Sequence, residues 1–218
     1  MPRRFRTTSL DAIEEIPAVG GTLRWKPVRR TLGIRAFGIN AYAADTGQDV
    51  VEEHDEVGGA GAGGHEELYL VTAGHARFTI DGEDVDAPAG TLVFLPEPEA
   101  RRAATALADG TTVLAIGADP ERAAPVSAWE SFFYAEHQSA GGDHAGAVAT
   151  VQDARAEHDA NPALHYNLAC FLTRDGRLED ALAELRLAHA IDPERVERWA
   201  REDEDLAPLR QRPGWPLI

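Results

Sequence analysis

The chain has 218 residues, 44% hydrophobic and 27% charged, and its 37 acidic and 21 basic side chains leave a formal net charge of −16. This is ordinary globular composition, enough for one medium domain or two small ones, and the acidity runs through both halves: residues 1–118 hold 11 basic and 18 acidic side chains, residues 119–218 hold 10 and 19. Neither half has the basic footprint that nucleic acid or an anionic membrane requires, no window approaches a membrane span, and the N-terminal MPRRFRTTSL has no apolar h-region.

In chain order, Ser9 is a plausible cap for a short helix running toward Ile16. Residues 20–118 then read as strands. Glycine recurs at turns, and between the turns lie β-rich runs such as Thr22–Trp25, Ile34–Tyr42, Leu68–Thr72, Ala76–Ile80, Thr91–Leu95 and Thr111–Ile116. Short strands at this spacing suggest a sandwich or barrel. Asp81-Gly82 is a hairpin turn, because both positions tolerate positive φ. Phe78, Ile80, Leu92 and Phe94 are expected in the core, and His75 at the surface. The proline-bearing stretch at 119–125 reads as a linker. The expected layout is an arm at 1–20, a β-barrel at 21–118, the linker, and a helical domain with a C-terminal cap at 126–218. The fold class is α+β.

From residue 126 onward, alanine and leucine recur at i, i+3, i+4 and i+7. Gly142, Ala147, Val151 and Ala154 return 34 residues later as Gly176, Ala181, Leu185 and Ala188, and Tyr134-Ala135 returns as Leu168-Ala169. This period and pattern resemble the tetratricopeptide repeat (TPR), one helix–turn–helix per repeat. The second copy has Leu168, Ala169, Leu172, Gly176, Leu178, Ala181, Leu185, Ala188 and Pro193 at the packing positions, with His165 where the pattern has tryptophan. Two repeats and a cap fall short of the usual three, so this half is expected to lean on the barrel or on another subunit. Cys170, the lone cysteine, excludes an internal disulfide and fits a reduced, cytoplasmic setting; on a buried helix face it reads as a packed thiol. Glu202–Asp205 reads as a solvated helix end.

Gly47–Gly74 contains GQDVVEEHDE, a glycine-rich VGGAGAGG and HEELYLVTAG. It resembles the first motif of the cupin superfamily. His54 matches the first histidine, Glu56 replaces the second, Glu67 and Gly74 match, and the glycine-rich stretch lengthens the spacer. Gly90 and Pro96 resemble the second motif, in which Arg101 replaces the last histidine and Pro98 a glycine. The resemblance implies a double-sheet jelly roll and, in many members, a divalent metal held by histidines and a glutamate.

Residues two apart on a strand share a face. His54 with Glu56, and His65 with Glu67, would therefore offer two imidazoles and two carboxylates to one spot, a donor set for zinc, iron, manganese or nickel. Alternatively, Arg101 pairs with Glu56 or Glu67 and leaves no role for a metal. Tyr69 shares the face of Glu67 and could line the pocket or fill the barrel. Three function classes follow. One is a metal-dependent small-molecule enzyme of oxygenase or isomerase type, with Arg101 and Tyr69 on the substrate. Another is a metal-free sensor in which Arg101 binds an anionic ligand. The third is an adaptor whose TPR-like helices engage a protein partner. A homodimer is the expected assembly.

Overall fold

Among the described residues, the first half forms ten strands: β1 (Ile16–Pro17), β2 (Arg24–Lys26), β3 (Gly38–Ala44), β4 (Asp49–His54), β5 (Glu66–Ala73), β6 (His75–Ile80), β7 (Glu83–Pro88), β8 (Leu92–Leu95), β9 (Arg102–Ala106) and β10 (Thr111–Ala118). The computed structural model describes residues 5–18, 22–57, 63–122, 127–213 and 215. The chain separates into two units, Met1–Ala123 and Ala124–Ile218. Most of the glycine-rich stretch (residues 58–62) and part of the expected linker (residues 123–126) lie outside the described residues.

The strands of the first unit build a six-stranded sheet, β1-β2-β3-β10-β5-β8, and a four-stranded sheet, β4-β9-β6-β7. Every pairing among the described residues is antiparallel. Tyr69 on β5 and Phe78 on β6 meet between the sheets with ring centroids 5.4 Å apart. Val71, Ala76, Phe78, Ala87, Ala106 and Val113 around them are fully buried. Full burial of side chains like Val71 and Phe78 contributes about 1.5–3 kcal/mol each, the main force holding the sheets together. The β6–β7 hairpin turns at Asp81 (φ 50°) and Gly82 (φ 88°), the two positive-φ positions that the dipeptide supplies.

Some expectations change. Ser9 caps only a single 3-10 turn, Leu10–Ala12, accepting from the Ala12 N–H, and β1 begins at Ile16. Part of the expected strand over Ile34–Tyr42 is irregular and follows a helix, α1 (Val28–Leu32). Leu92 and Phe94 are 62% and 55% exposed, whereas Val93 and Leu95 are buried. The run Leu-Val-Phe-Leu is apolar at every position and so carries no period-2 signal. The phase is set by register, which places Val93 opposite Tyr69 and Leu95 opposite Glu67 on β5.

The second unit contains α2 (Ala128–Ala140), α3 (His144–Asp153), α4 (Arg155–His158), α5 (Pro162–Arg174), α6 (Leu178–Ile191) and α7 (Pro193–Ala200). Its repeat is visible bond by bond. Ser127 caps α2 and Asn161 caps α5, each accepting from the N–H two residues on. Gly142 N–H donates to Ser139 O at 3.0 Å, and Gly176 N–H to Thr173 O at 3.0 Å. Both glycines are left-handed, at φ 89° and 80°. Ala135 and Ala169 are buried, as are Ala147 and Ala181; these small residues let paired helices approach. Tyr134 departs from the pattern. It is 60% exposed while Leu168 is fully buried, because α3 packs on α5 and no earlier repeat precedes α2.

His165 is buried between the helices, with Nδ1 2.7 Å from Glu184 Oε2 and Nε2 2.8 Å from Asp159 O. The polar ring thus finds partners inside. The apolar cluster of this unit draws on α7 and on Leu206 and Leu209 as well as on the two repeats, which supplies core that the repeat count lacks. The Glu202–Asp205 run is more than a solvated end. Asp203 accepts from Tyr166 Oη at 2.7 Å, and Asp205 accepts from Arg174 Nε at 3.0 Å.

Candidate functional site

The inner faces of the two sheets enclose a cavity of about 260 Å³ whose walls include Leu23, Tyr42, His54, Glu56, Glu67 and Tyr69. Space for it comes from β10, where Ala115 stands between Asn40 on β3 and Tyr69 on β5. His54 is the last residue of β4, and Glu67 lies on β5. Glu56 lies just past the end of β4. It is held there by its own N–H, which donates to Pro98 O at 2.9 Å, and by two bonds from Gly63 and Gly64. Gly64 N–H donates to Glu56 O at 2.9 Å, and Gly63 N–H to Glu56 Oε2 at 2.8 Å. Gly63 and Gly64, at the C-terminal end of the spacer, are thereby held beside Glu56.

Of the four residues expected to converge, three do. His54, Glu56 and Glu67 each offer a donor atom, all within 4.8 Å of one another. His54 Nε2 lies 3.8 Å from Glu56 Oε1 and 3.7 Å from Glu67 Oε2. Its Nδ1 lies 2.7 Å from Glu52 O, a carbonyl that can only accept. Nδ1 therefore carries the proton, and in the neutral ring the lone pair on Nε2 faces two carboxylates. His65 stands to one side, half-exposed, with Nδ1 3.5 Å from Glu56 Oε2; it precedes β5 and is not part of the triad.

Arg101 is not in the cavity. It precedes β9, it is 64% exposed, and it pairs with Glu53. The buried guanidinium is that of the next residue. Arg102 has no exposed surface and sits opposite His54 in the β4–β9 register. The inward set on β9 is Arg102, Ala104 and Ala106, one residue out of phase with the motif alignment. The sequence from Arg101 to Ala106 does not show this phase, which the β4–β9 register sets.

Arg102 Nη1 donates to Ala100 O at 2.7 Å and to Pro98 O at 3.2 Å. Its Nη2 is 3.1 Å from Glu67 Oε2, close enough for charge attraction, but with the N–H directed off the acceptor, so Nη2 and Nε have no hydrogen-bond partner. Tyr69 donates its O–H to the same Glu67 oxygen. Burial alone would raise the Glu67 pKa; His54, Tyr69 and the Arg102 charge together outweigh it and hold the carboxyl below its usual range. Glu67 in turn draws the His54 imidazole upward, against burial and with help from the Glu52 carbonyl. Burial pushes the phenols of Tyr69 and Tyr42 up, so both stay protonated as donors.

One imidazole and two carboxylates with converging donor atoms fit a divalent first-row metal; the Glu67 oxygen that faces His54, Oε2, also accepts from Tyr69 and lies 3.1 Å from Arg102 Nη2. A second cluster, Cys170 with Asp203 and Asp205, also lies within 4.8 Å. Its acceptors are already taken by Tyr166 and Arg174, and burial keeps the thiol protonated, so it serves packing. His75 pairs with Asp86 at 2.7 Å on the surface.

The tetratricopeptide repeat family matches residues 139–201. No curated protein matches the chain. Among solved structures, a sugar phosphate isomerase of the cupin superfamily from Silicibacter pomeroyi is 18% identical, with a TM-score of 0.42 over 55% of this chain and 77% of that one. An RmlC-like cupin from Shewanella frigidimarina is 19% identical, with a TM-score of 0.40 over 56% and 96%. The chain is thus a two-sheet antiparallel β unit followed by a helical unit, of which residues 139–201 match the tetratricopeptide repeat.

Proposed function

We propose that the barrel unit is a metal-assisted small-molecule site, of isomerase or oxygenase type, with His54, Glu56 and Glu67 as the metal-holding residues. The observation that carries this reading is the fixed tautomer of His54: with Nδ1 tied to Glu52 O, Nε2 faces two carboxylates that lie beyond hydrogen-bond distance. A divalent cation there supplies Lewis acidity toward a hydroxyl or carbonyl oxygen. The protein's own groups prepare the place. Tyr69 and Arg102 keep Glu67 ionised and fix its rotamer, and Gly63 N–H fixes Glu56. Three protein donors leave positions open for substrate. The tail, by its match to a repeat that builds concave surfaces, is read as the part that meets a protein partner.

The test is elemental analysis of protein purified without a histidine tag, before and after reconstitution with iron, manganese, zinc or nickel. About one metal per chain is expected, lost in His54→Ala and in Glu56→Gln. A second reading has support in Arg102, which already answers Glu67 at 3.1 Å: a metal-free binding pocket. Absence of metal after reconstitution would overturn the first reading in favour of the second.

A further inference from the structure

A stack of helical repeats needs a polar outer face at each end, because every other helix hides its apolar side against a neighbour. The two ends of the second unit differ in this respect. At the C-terminal end, α7 buries Val196 and Ala200 and leaves Glu194, Arg195, Glu197 and Arg198 exposed, a charged outer face. At the N-terminal end, α2 buries Ala135 and Ser139 and packs Phe132 against Phe171 with ring centroids 6.1 Å apart. Its other face carries Trp129, Glu130, Phe133, Tyr134 and His137, all exposed, at spacings of three and four that put them on one stripe. Trp129, Phe133 and Tyr134 are 63%, 66% and 60% exposed, and among the described residues of this unit they are the only large apolar side chains more than half exposed. The repeat shows what covers such a face. The same positions 34 residues on are Ala163, Leu164, Asn167, Leu168 and Phe171 of α5, and none of them is exposed, because α3 and α2 pack there. The first repeat has the apolar face without the helix that covers it.

We propose that this face of α2 is a self-association surface and that its occupant is the same face of a second copy of this chain. The stack has one open end and one closed end. A head-to-tail contact would set the aromatic rings of α2 against the charged face of α7, so the open end meets only its like. A like-with-like contact closes at two chains about a two-fold axis. It also joins two repeats of one chain to two of the other, past the usual three at which such stacks stand on their own. The face is complementary to itself in charge as well. Glu130 lies toward one end of the stripe and His137 at the other, while Glu136 on the flank is already held by Arg174. With the helices antiparallel and the two-fold axis between Phe133 and Tyr134, Phe133 meets the partner's Tyr134 and Glu130 meets the partner's His137. Aromatic rings then fill the centre and the ionisable groups stand at the rim, the arrangement of a stable interface. The inference deepens the reading of the tail as the part that meets a protein, rests on that reading, and names the partner; the barrel cavity plays no part in it.

The experiment is sedimentation equilibrium of the full chain across the micromolar range, and a monomer–dimer equilibrium is expected. Phe133→Glu places a charge at the centre of the contact and should raise the dimer dissociation constant about thirtyfold or more. His137→Glu sets like charges against Glu130 and should raise it about fivefold. Adding Glu130→Lys to that variant restores opposite charges and should bring the constant back to within about twofold of the parent, a recovery that requires these two positions to face each other. All three positions are exposed in the single chain, so each variant should keep the helical circular dichroism of the parent. Trp129→Gln, with a loss of about tenfold, covers the case in which Phe133→Glu does not. A parent that stays monomeric overturns the inference, and so does one that grows into open-ended polymers. A dimer that survives Phe133→Glu and is lost in Phe94→Glu lies on the barrel and overturns it as well. A double variant no tighter than His137→Glu overturns the antiparallel pairing. The reading of the tail as a protein-meeting unit survives a monomeric parent, since a different protein partner leaves the chain alone a monomer, and none of these results bears on the metal.

Discussion

Replacing Arg102 by alanine tests the physical account of the barrel most directly. The side chain has no exposed surface, its Nη2 is 3.1 Å from Glu67 Oε2, and its Nη1 serves the carbonyls of Ala100 and Pro98. In the variant, Glu67, whose side chain is 12% exposed, keeps the Tyr69 hydroxyl but loses its counter-charge. Ala100 O loses that donor, whereas Pro98 O keeps the Glu56 N–H. Removing one partner of a buried ion pair costs about 3–5 kcal/mol. In a unit of this size each kcal/mol moves the melting midpoint by roughly 4 °C, so the expected fall is roughly 12–20 °C. The assay is scanning calorimetry of EDTA-dialysed protein, which separates transitions of the two units. Adding Glu67→Gln removes the stranded charge, so the double variant should recover part of the loss. Arg101→Ala is the internal control: its partner Glu53 is 60% exposed, and its loss should cost no more than about 0.5 kcal/mol. A fall below about 4 °C in Arg102→Ala, or no relief from Glu67→Gln, would refute the account.

Three further outcomes are expected. Because Glu67 is held below the usual carboxylate range, its contribution is fully present above that range and fades as pH falls through the depressed native value; acid titration of metal-free protein should therefore show a flatter stability loss for Glu67→Gln than for the parent. Gly142→Ala and Gly176→Ala, at φ 89° and 80°, should each cost about 1–2 kcal/mol in urea unfolding, and a much smaller loss at either would mean that its loop is not left-handed in solution. A homodimer remains the expectation, so light scattering at tens of micromolar should give twice the chain mass, and Phe94→Glu, on the edge strand β8 that exposes Leu92 and Phe94, tests whether that edge takes part; a monomeric parent would remove that assembly.

Several features were legible in the chain because they are local. The Asp81-Gly82 turn, the glycine-punctuated strands and the helical period need only neighbouring residues, and the 34-residue repeat is a comparison of the sequence with itself. His54, Glu56 and Glu67 were legible by type and spacing. What the chain could not show was phase and distance. Leu92–Leu95 and Ala100–Arg102 carry no alternation that says which residue points inward, and only pairing with β5 and β4 turned Val93, Leu95 and Arg102 to the interior. That Gly63 and Gly64 lie beside Glu56 depends on two N–H bonds, one to its carbonyl and one to its carboxylate. Registry is decided by contacts between segments far apart in sequence, a one-residue slip reverses every side chain, and so the choice between Arg101 and Arg102 belonged to the tertiary structure.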